Sequence, residues 1–361
     1  MHFLAFTRFS LLFCGLLVAA SIQALPLSLG SASNFNTFVL GDMNHQHSDV
    51  EGRLAVGGDL TLSNYAIGMR LTDADNDRDS LVVGGALNFT DGRIYHGHAR
   101  SGGTANLNNS VGFYTGEDPS QSSGKYFSGN PLDFTAAATD LRNRSKTYGG
   151  YDKTGEVKQT DGFLQLIGED PLLNVFSLSM EQIVVGRLDL ITPGDAWTLI
   201  NVRGGSGKFA EMGIYFGDAD HGGIRVQEDS SQRHDGRLTG RVLFNFFEAT
   251  ELDLYSIAVP GSILAPLAQI NFYNGHVDGQ LIAGSLSGHT DGAQCSSENY
   301  TVCSGQSNWY PFKELVEESP SRQTSIPEPV SLALLLGGLA TLLLLKGRRS
   351  NQTRSTLANR C

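Results

Sequence analysis

Cysteine, tryptophan and charge are scarce in this chain: 361 residues hold 4 Cys, 2 Trp and only 17% Asp, Glu, Lys and Arg, where an ordinary soluble domain has about 25% charged residues. So few thiolates, without an adjacent histidine pair at the right spacing, leave no ligand set for a structural zinc site. A phosphate loop is missing too. The nearest stretch, "GGSGKF", has Val202 where the upstream glycine belongs and Phe209 after Lys208. "GSLSG" at Gly284 carries Leu286 where a nucleophile elbow needs serine. Carboxylates are numerous but unpatterned, so no acid–base pair can be chosen from them, and we expect a non-enzymatic protein.

Long apolar runs are confined to the two ends. Residues 1–24 carry one early cation, Arg8, an apolar run from Phe9 to Ala20 and the small-residue ending Ile22-Gln23-Ala24, the pattern of a secretory signal peptide cut after Ala24. Phe13 before Cys14 is too bulky for a lipoprotein site. At the other end Val330 to Leu345 would span ~24 Å as a helix, short of the ~30 Å hydrocarbon core. Lys346, Arg348, Arg349, Arg354 and Arg360 follow it, and such cations stay on the cytoplasmic side, placing the body outside. Pro327-Glu328-Pro329, the apolar span and Arg348-Arg349 resemble a PEP-CTERM sorting signal. That resemblance implies a Gram-negative source, a transient stop in the inner membrane and processing by an exosortase-type protease.

Between the ends lies a mature body of roughly 300 residues. Removing six cations (Arg8 and five in the tail) and one acid (Glu328) takes the formal charge from −11 to −16, which disfavours nucleic acid as a partner. Only Cys295 and Cys303 remain in this exported body, and an even pair there is expected to close a small disulfide loop.

Forty-three glycines point to a turn-dense β protein, and they recur in patterns. "EGRLAVG" (51–57), "DGRIYHG" (91–97) and "DGQLIAG" (278–284) share one motif, with "PGSILAP" (260–266) a variant 18 residues before the last. "VGGDLTL", "VGGALNF" and "SGGTANL" place Gly-Gly pairs at 57, 84 and 102. Short apolar alternations between glycine corners predict the rungs of a β-solenoid, a right-handed β-helix-like stack. Gly52, Gly92, Gly261 and Gly279 are expected at corners with φ > 0, and Leu54, Ile94, Ile263 and Leu281 inside. "NPLDFTAAATDLRNRSKTYGG" predicts one helix alongside, capped by Asn130, with Leu132, Ala136 and Leu141 on its packing side and Gly149 as the stop.

Two constellations are candidate metal ligands. His45 and His47, and His96 and His98, each put two imidazoles on one strand face, and stacking could bring the pairs together. Asp73, Asp75, Asp77 and Asp79 have the alternate spacing of a calcium loop, but Arg78 replaces its glycine and no glutamate follows at the twelfth position. Weak calcium binding competes there with a solvated acidic turn, and no other cofactor is expected.

The body as a whole resembles the choice-of-anchor A family. "NFNTFVLGDMNHQHSDVEGRLAVGGDLTLSNYAIG", "LVVGGALNFTDG", "WTLINVRG", "NFFEATELDL", "GSILAPLAQINFYNGHVDGQLIAGSL" and "NWYPF" occur in that family's order. The resemblance implies an adhesin-like surface domain without catalytic residues. The organisation expected is a signal peptide (1–24), a β-solenoid domain (25–315), a linker (316–326), the sorting signal (327–350, with its span at 330–345) and a basic tail (351–361). The function expected is adhesion to an extracellular polysaccharide or surface polymer, at the cell surface or in the extracellular matrix. An ice-binding solenoid, which would call for regular Thr-x-Thr rows, or a carbohydrate-active enzyme are the alternatives.

Overall fold

The computed structural model describes residues 26–288 and 303–316, apart from positions 117, 119, 121 and 123. The signal-peptide segment, Cys295 and the sorting signal with Pro327, Glu328, Pro329, Arg348 and Arg349 therefore lie outside the described residues. Among the described residues no helix is long and apolar enough to cross a membrane.

The chain is mainly β and winds in parallel coils. The first half comprises β1 (Thr37–Val39), β2 (Met43–Val50), β3 (Leu54–Val56), β4 (Leu60–Ile67), β5 (Asp79–Val83), β6 (Leu87–Ile94), β7 (His98–Ser101), β8 (Ala105–Leu107), β9 (Val111–Phe113) and β10 (Tyr126–Ser128). After helix α1 (Phe134–Gly149) come β11 (Glu156–Thr160), β12 (Phe163–Ile167), β13 (Leu173–Ser179), β14 (Arg187–Ile191), β15 (Trp197–Arg203), β16 (Ser206–Ala210) and β17 (Gly213–Phe216). The last strands are β18 (Val242–Asn245), β19 (Glu251–Tyr255), β20 (Ala258–Val259), β21 (Ser262–Tyr273), β22 (His276–Asp278), β23 (Leu281–Ser287) and β24 (Gln306–Asn308). Twenty of these form one large curled sheet, while β11, β12, β14 and β17 form a smaller one.

Chain order and stacking order differ. One face of the stack runs β10–β7–β5–β3–β1–β23–β21–β18–β15–β13, every neighbour parallel. The first strand thus sits in the middle, between β3 and the late strand β23. The first half winds away from that point, and α1 carries the chain back past it. Near its start Phe134 packs on Phe38, ring centroids 5.5 Å apart, and near its end the Tyr148 carbonyl accepts from Asn201 of β15 at 2.6 Å. The second half then winds inward until β23 pairs with β1. Leu27 and Leu315 exchange two backbone hydrogen bonds of 2.8 Å, which ties the ends of the domain together.

Two cores follow from this layout. The interior of the coils is filled by residues such as Leu54, Ile94, Ile263 and Leu281, all fully buried as the repeats predict. A second core lies between the first face and α1, joining Phe38, Ala55, Val82 and Leu264 to Ala137 and Leu141. The helix is one the sequence announces, with different details. Asp133, not Asn130, is its N-cap, its carboxylate accepting from the Ala136 N–H at 2.9 Å. Asn130 instead accepts from Leu132 N–H in a turn ahead of the helix. Ala137, Leu141, Ser145 and Tyr148 are the buried positions and Ala136 is exposed. Ser145 donates to Asn245 Oδ1 at 2.6 Å, and Asn245 Nδ2 donates to Asn201 Oδ1 at 2.8 Å, so a buried amide ladder on β18 and β15 fastens the helix.

The corners explain the glycine repeats, with a different physical reason at most positions. Gly41, Gly58, Gly85 and Gly103 hydrogen-bond in series, each N–H donating to the carbonyl of the preceding one at 2.8–2.9 Å. A Cβ on Gly84 would fall 2.2 Å from the Gly57 carbonyl oxygen. The Gly-Gly pairs are thus required by close backbone approach between coils. Gly52, Gly92 and Gly279 likewise do not have positive φ; of the four glycines expected in that region only Gly261 does, at 158°. The left-handed backbone lies at the next corner, where it is carried by side-chain residues: His47, Asn64 and Asp91 (φ 48–52°) are in register in the first half, and Glu211, Ser256 and Asn274 (φ 47–57°) in the second. Asn, Asp and His are the residues that best tolerate this conformation.

Candidate functional site

Three faces surround the coils; one is covered and another is covered in part. The first carries α1. The third, formed by the C-terminal halves of β2, β4 and β6 with β9, β24, β22 and β20, is overlaid in part by the segment between β17 and β18, where His234 stacks on Tyr310 at 5.3 Å and its ring lies 3.8 Å from Glu51. Among the described residues the second face is the open one.

On that second face β2, β4, β6, β19 and β21 alternate with period two. Met43, Leu60, Leu62, Leu87, Phe89, Leu252, Leu254, Ile270 and Phe272 point inward and are buried, which turns the intervening residues outward. One outward row crosses eight strands in register: Asn106, Asn88, Thr61, Asn44, Ser287, Asn271, Asp253 and Lys208. A parallel row holds Ser285, Gln269, Glu251 and Ser206. Between and beside these rows run two shallow depressions of about 320 and 400 Å³ that share Gln269 and Ser287 and so form one trough.

Two tyrosines border the trough. Tyr255 and Tyr273 stack with centroids 5.0 Å apart and planes 2° from parallel, so each ring turns one face to the other. Lys208 Nζ donates to Tyr255 Oη at 3.2 Å, a hydrogen bond that holds the ammonium pKa above its ordinary value. Burial, reinforced by Tyr255, pushes the Tyr273 hydroxyl up.

The candidate metal residues do not converge. His45 points into the interior between Tyr65 and Phe272, while His47 is exposed at the left-handed corner, so one strand face does not present both. His96 Nδ1 lies 2.9 Å from Asn76 Oδ1, and His98, on β7, packs against Phe127. Asp75 is paired with Arg53 and Asp79 with Arg100, whereas Asp73 and Asp77 face solvent. Among the described residues no group of three or more His, Cys, Asp or Glu could hold a metal ion.

Sequence reading missed a polar cluster on the third face. Burial raises the Asp49 carboxyl to about 6 against its hydrogen bond from Gln306, and burial lowers His276 despite Asp278 at 3.8 Å. Burial also pushes the Tyr310 hydroxyl up to about 12. A carboxyl and an imidazole are the inventory of acid–base catalysis, and each acid here also accepts a hydrogen bond. Asp278 accepts from Asn308 at 2.6 Å, and Glu51 accepts from the Trp309 N–H at 2.9 Å. These bonds fasten β24 and the residue after it to the third face, with a spacing no sequence motif marks.

The comparison with curated proteins returned no match. Among solved structures the chain is similar to an ice-binding protein from an Antarctic ascomycete, Antarctomyces psychrotrophicus, at 13% identity and a TM-score of 0.34, covering 79% of this chain and 98% of that one. It is also similar to an ice-binding protein from an Antarctic biological consortium, at 10% identity and a TM-score of 0.26, over 79% of this chain and 90% of the other. Values this low carry no argument about the open face. Residues 28–294, about three quarters of the chain, match the family model described as "Putative Ice-binding-like adhesive domain", and the chain belongs to that adhesive-domain family.

Proposed function

We propose that this protein is a non-enzymatic, choice-of-anchor A-type adhesin on a right-handed β-solenoid, and that its second face holds an extracellular polysaccharide or surface polymer. The observation that carries this reading is the outward row from Asn106 to Lys208, polar at every one of its eight strands, on the face that α1 and the β17–β18 segment leave uncovered among the described residues. Many weak, repeated contacts along such a row suit a polymer, because tethered contacts add as avidity without a deep pocket. Residues 1–24 direct export, Cys295 and Cys303 pair, and the Pro327-Glu328-Pro329 signal passes the chain from the inner membrane to an exosortase-type protease in a Gram-negative cell.

The test is a glycan and matrix-polymer array probed with the full chain and with a Thr61→Arg, Asn271→Arg variant. Wild-type binding that the variant loses, with its melting unchanged, supports the reading. Equal binding by both proteins overturns it. Ice is the second reading, favoured by the family description and by the regular register of the face. Its outward row holds Asn, Ser, Asp and Lys beside the single Thr61 rather than ranks of threonine, and thermal hysteresis abolished by Thr61→Arg would establish it over ours.

A further inference from the structure

We propose that the polymer lying along the second face bears amino groups: an amino-sugar polysaccharide whose free ammonium groups meet the carboxylates of the trough while its hydroxyls meet the amides and serines between them. This rests on the reading of the second face as the working surface and adds the chemical class of what it holds.

Charge sign is the first argument. Glu251 and Asp253, two residues apart on β19, point outward together, and across the trough Asp42 and Asp59 stand on successive coils. Among the described residues no lysine or arginine lines either depression. The nearest cation in the row, Lys208, is turned toward Tyr255 Oη, and neither Glu251 nor Asp253 forms a salt bridge among the described residues. Asp42 and Asp59 each accept one backbone hydrogen bond and Lys208 stands in register beside Asp253, but four acids against one cation leave the face net negative, so an anionic polymer is repelled by it and a cationic one gains.

The second argument is what lies between the acids. Gln269, Asn271, Asn44, Ser285, Ser287 and Thr61 each both donate and accept hydrogen bonds, as sugar hydroxyls do. Strands about 4.8 Å apart set one such group opposite each step of an extended chain running down the stack, a repeat comparable with one pyranose ring. The third argument is the aromatic arrangement. Tyr255 and Tyr273 give one face each to the other, and Lys208 Nζ lies 5.7 Å from the Tyr255 ring centroid, so hydrogen bonds and charge make the larger part of the recognition. Among the described residues lining the two depressions none is aromatic, so a neutral, flat glycan that binds by stacking finds no platform within them.

The experiment compares three soluble probes on the full chain: partially deacetylated poly-N-acetylglucosamine, its fully acetylated counterpart and a polyuronate, each at 50 and 300 mM salt, with and without calcium. The expected result is binding of the deacetylated polymer at least tenfold tighter than of the other two, weakened several-fold by salt. Glu251→Gln with Asp253→Asn should lose tenfold or more of that binding with unchanged melting. Glu228→Gln with Asp229→Asn, which removes the same charge from the segment between β17 and β18, should leave it intact. Equal affinity for the acetylated polymer, calcium-dependent preference for the polyuronate, or equal loss from both charge variants each overturns the proposal. Thr61→Arg with Asn271→Arg separates the two levels. If it abolishes binding of a preferred neutral or anionic polymer, the face reading stands and the amino-sugar assignment falls.

Discussion

A Cβ on Gly279 would fall 2.3 Å from the carbonyl oxygen of Gly261, 18 residues earlier and one coil away. Gly279→Val should therefore cost at or above the upper end of the ~1–3 kcal/mol typical of overpacking, read as a lowered urea midpoint. The left-handed corner should respond the other way round: Asn64, at φ 48°, should tolerate glycine almost without loss, while Asn64→Val costs about 1–2 kcal/mol. Equal effects of valine at both positions, with glycine at 64 as harmful as valine, would refute this division between crowding and backbone conformation.

The stability profile against pH should carry two opposed slopes. His45 is fully buried, and burial drives its pKa from 6.5 to about 3, the nearby Ser287 backbone lying outside hydrogen-bond geometry. From pH 6.5 down to about 3 the unfolded chain takes up a proton that the folded chain refuses, so acid destabilises by at most about 1.4 kcal/mol per pH unit. Asp49 acts in reverse. Its carboxyl rises from 3.8 to about 6, so between those values the folded chain holds a proton the unfolded chain has released, and acid stabilises. The two should nearly cancel between about pH 4 and 6. Asp49→Asn should uncover a loss of stability with falling pH in that window, and His45→Leu a gain, both read from urea melts at stepped pH. Unchanged slopes in both variants would contradict the assignment.

Helix α1 should depend on one amide. Asn245 accepts from the Ser145 hydroxyl and donates to both Asn201 Oδ1 and the Ser145 carbonyl. Asn245→Ala would leave buried partners unsatisfied and should cost about 1–3 kcal/mol, with the amides of residues 137–149 losing hydrogen-exchange protection first. Loss of protection beginning instead in β3 or β5 would show that the ladder does not hold the helix.

Processing can be read on the exported protein by mass spectrometry. The expected chain starts at Leu25, ends near Pro327 to Pro329 and carries a Cys295–Cys303 bond, and replacing Glu328 should accumulate a membrane-bound precursor. Mature protein that retains Cys361, or two thiols open to alkylation, would contradict the export account.

How far the sequence discloses this fold depends on which contacts are local. The "EGRLAVG" and "DGQLIAG" repeats mark inward residues and tight corners because each coil meets its neighbour at the same backbone position, so Leu54 and Leu281 are legible one motif at a time. The order of the coils is not, since the pairing of β1 with β23 joins residues 37 and 281 and is made possible by a helix whose packing face the sequence shows only in outline. The corner of His47, Asn64 and Asp91 escaped notice because ordinary polar residues fill it. The same corner misleads the reading of "HQH": a left-handed residue at 47 places its imidazole outside while His45 stays in the core. On the second face each strand shows plain alternation, and only the register turns Asn44, Asn271 and Asp253 into one row.

The most direct test of that row is carboxyl footprinting of the protein held on the matrix of the cells that make it, with each labelled acid located by mass spectrometry. Protection of Asp42, Asp59, Glu251 and Asp253, with Asp77, Glu228 and Asp229 labelled as in free protein, is the result expected if the second face is the working surface. Protection confined to Asp77, Glu228 and Asp229, with the second-face acids fully labelled, would contradict it.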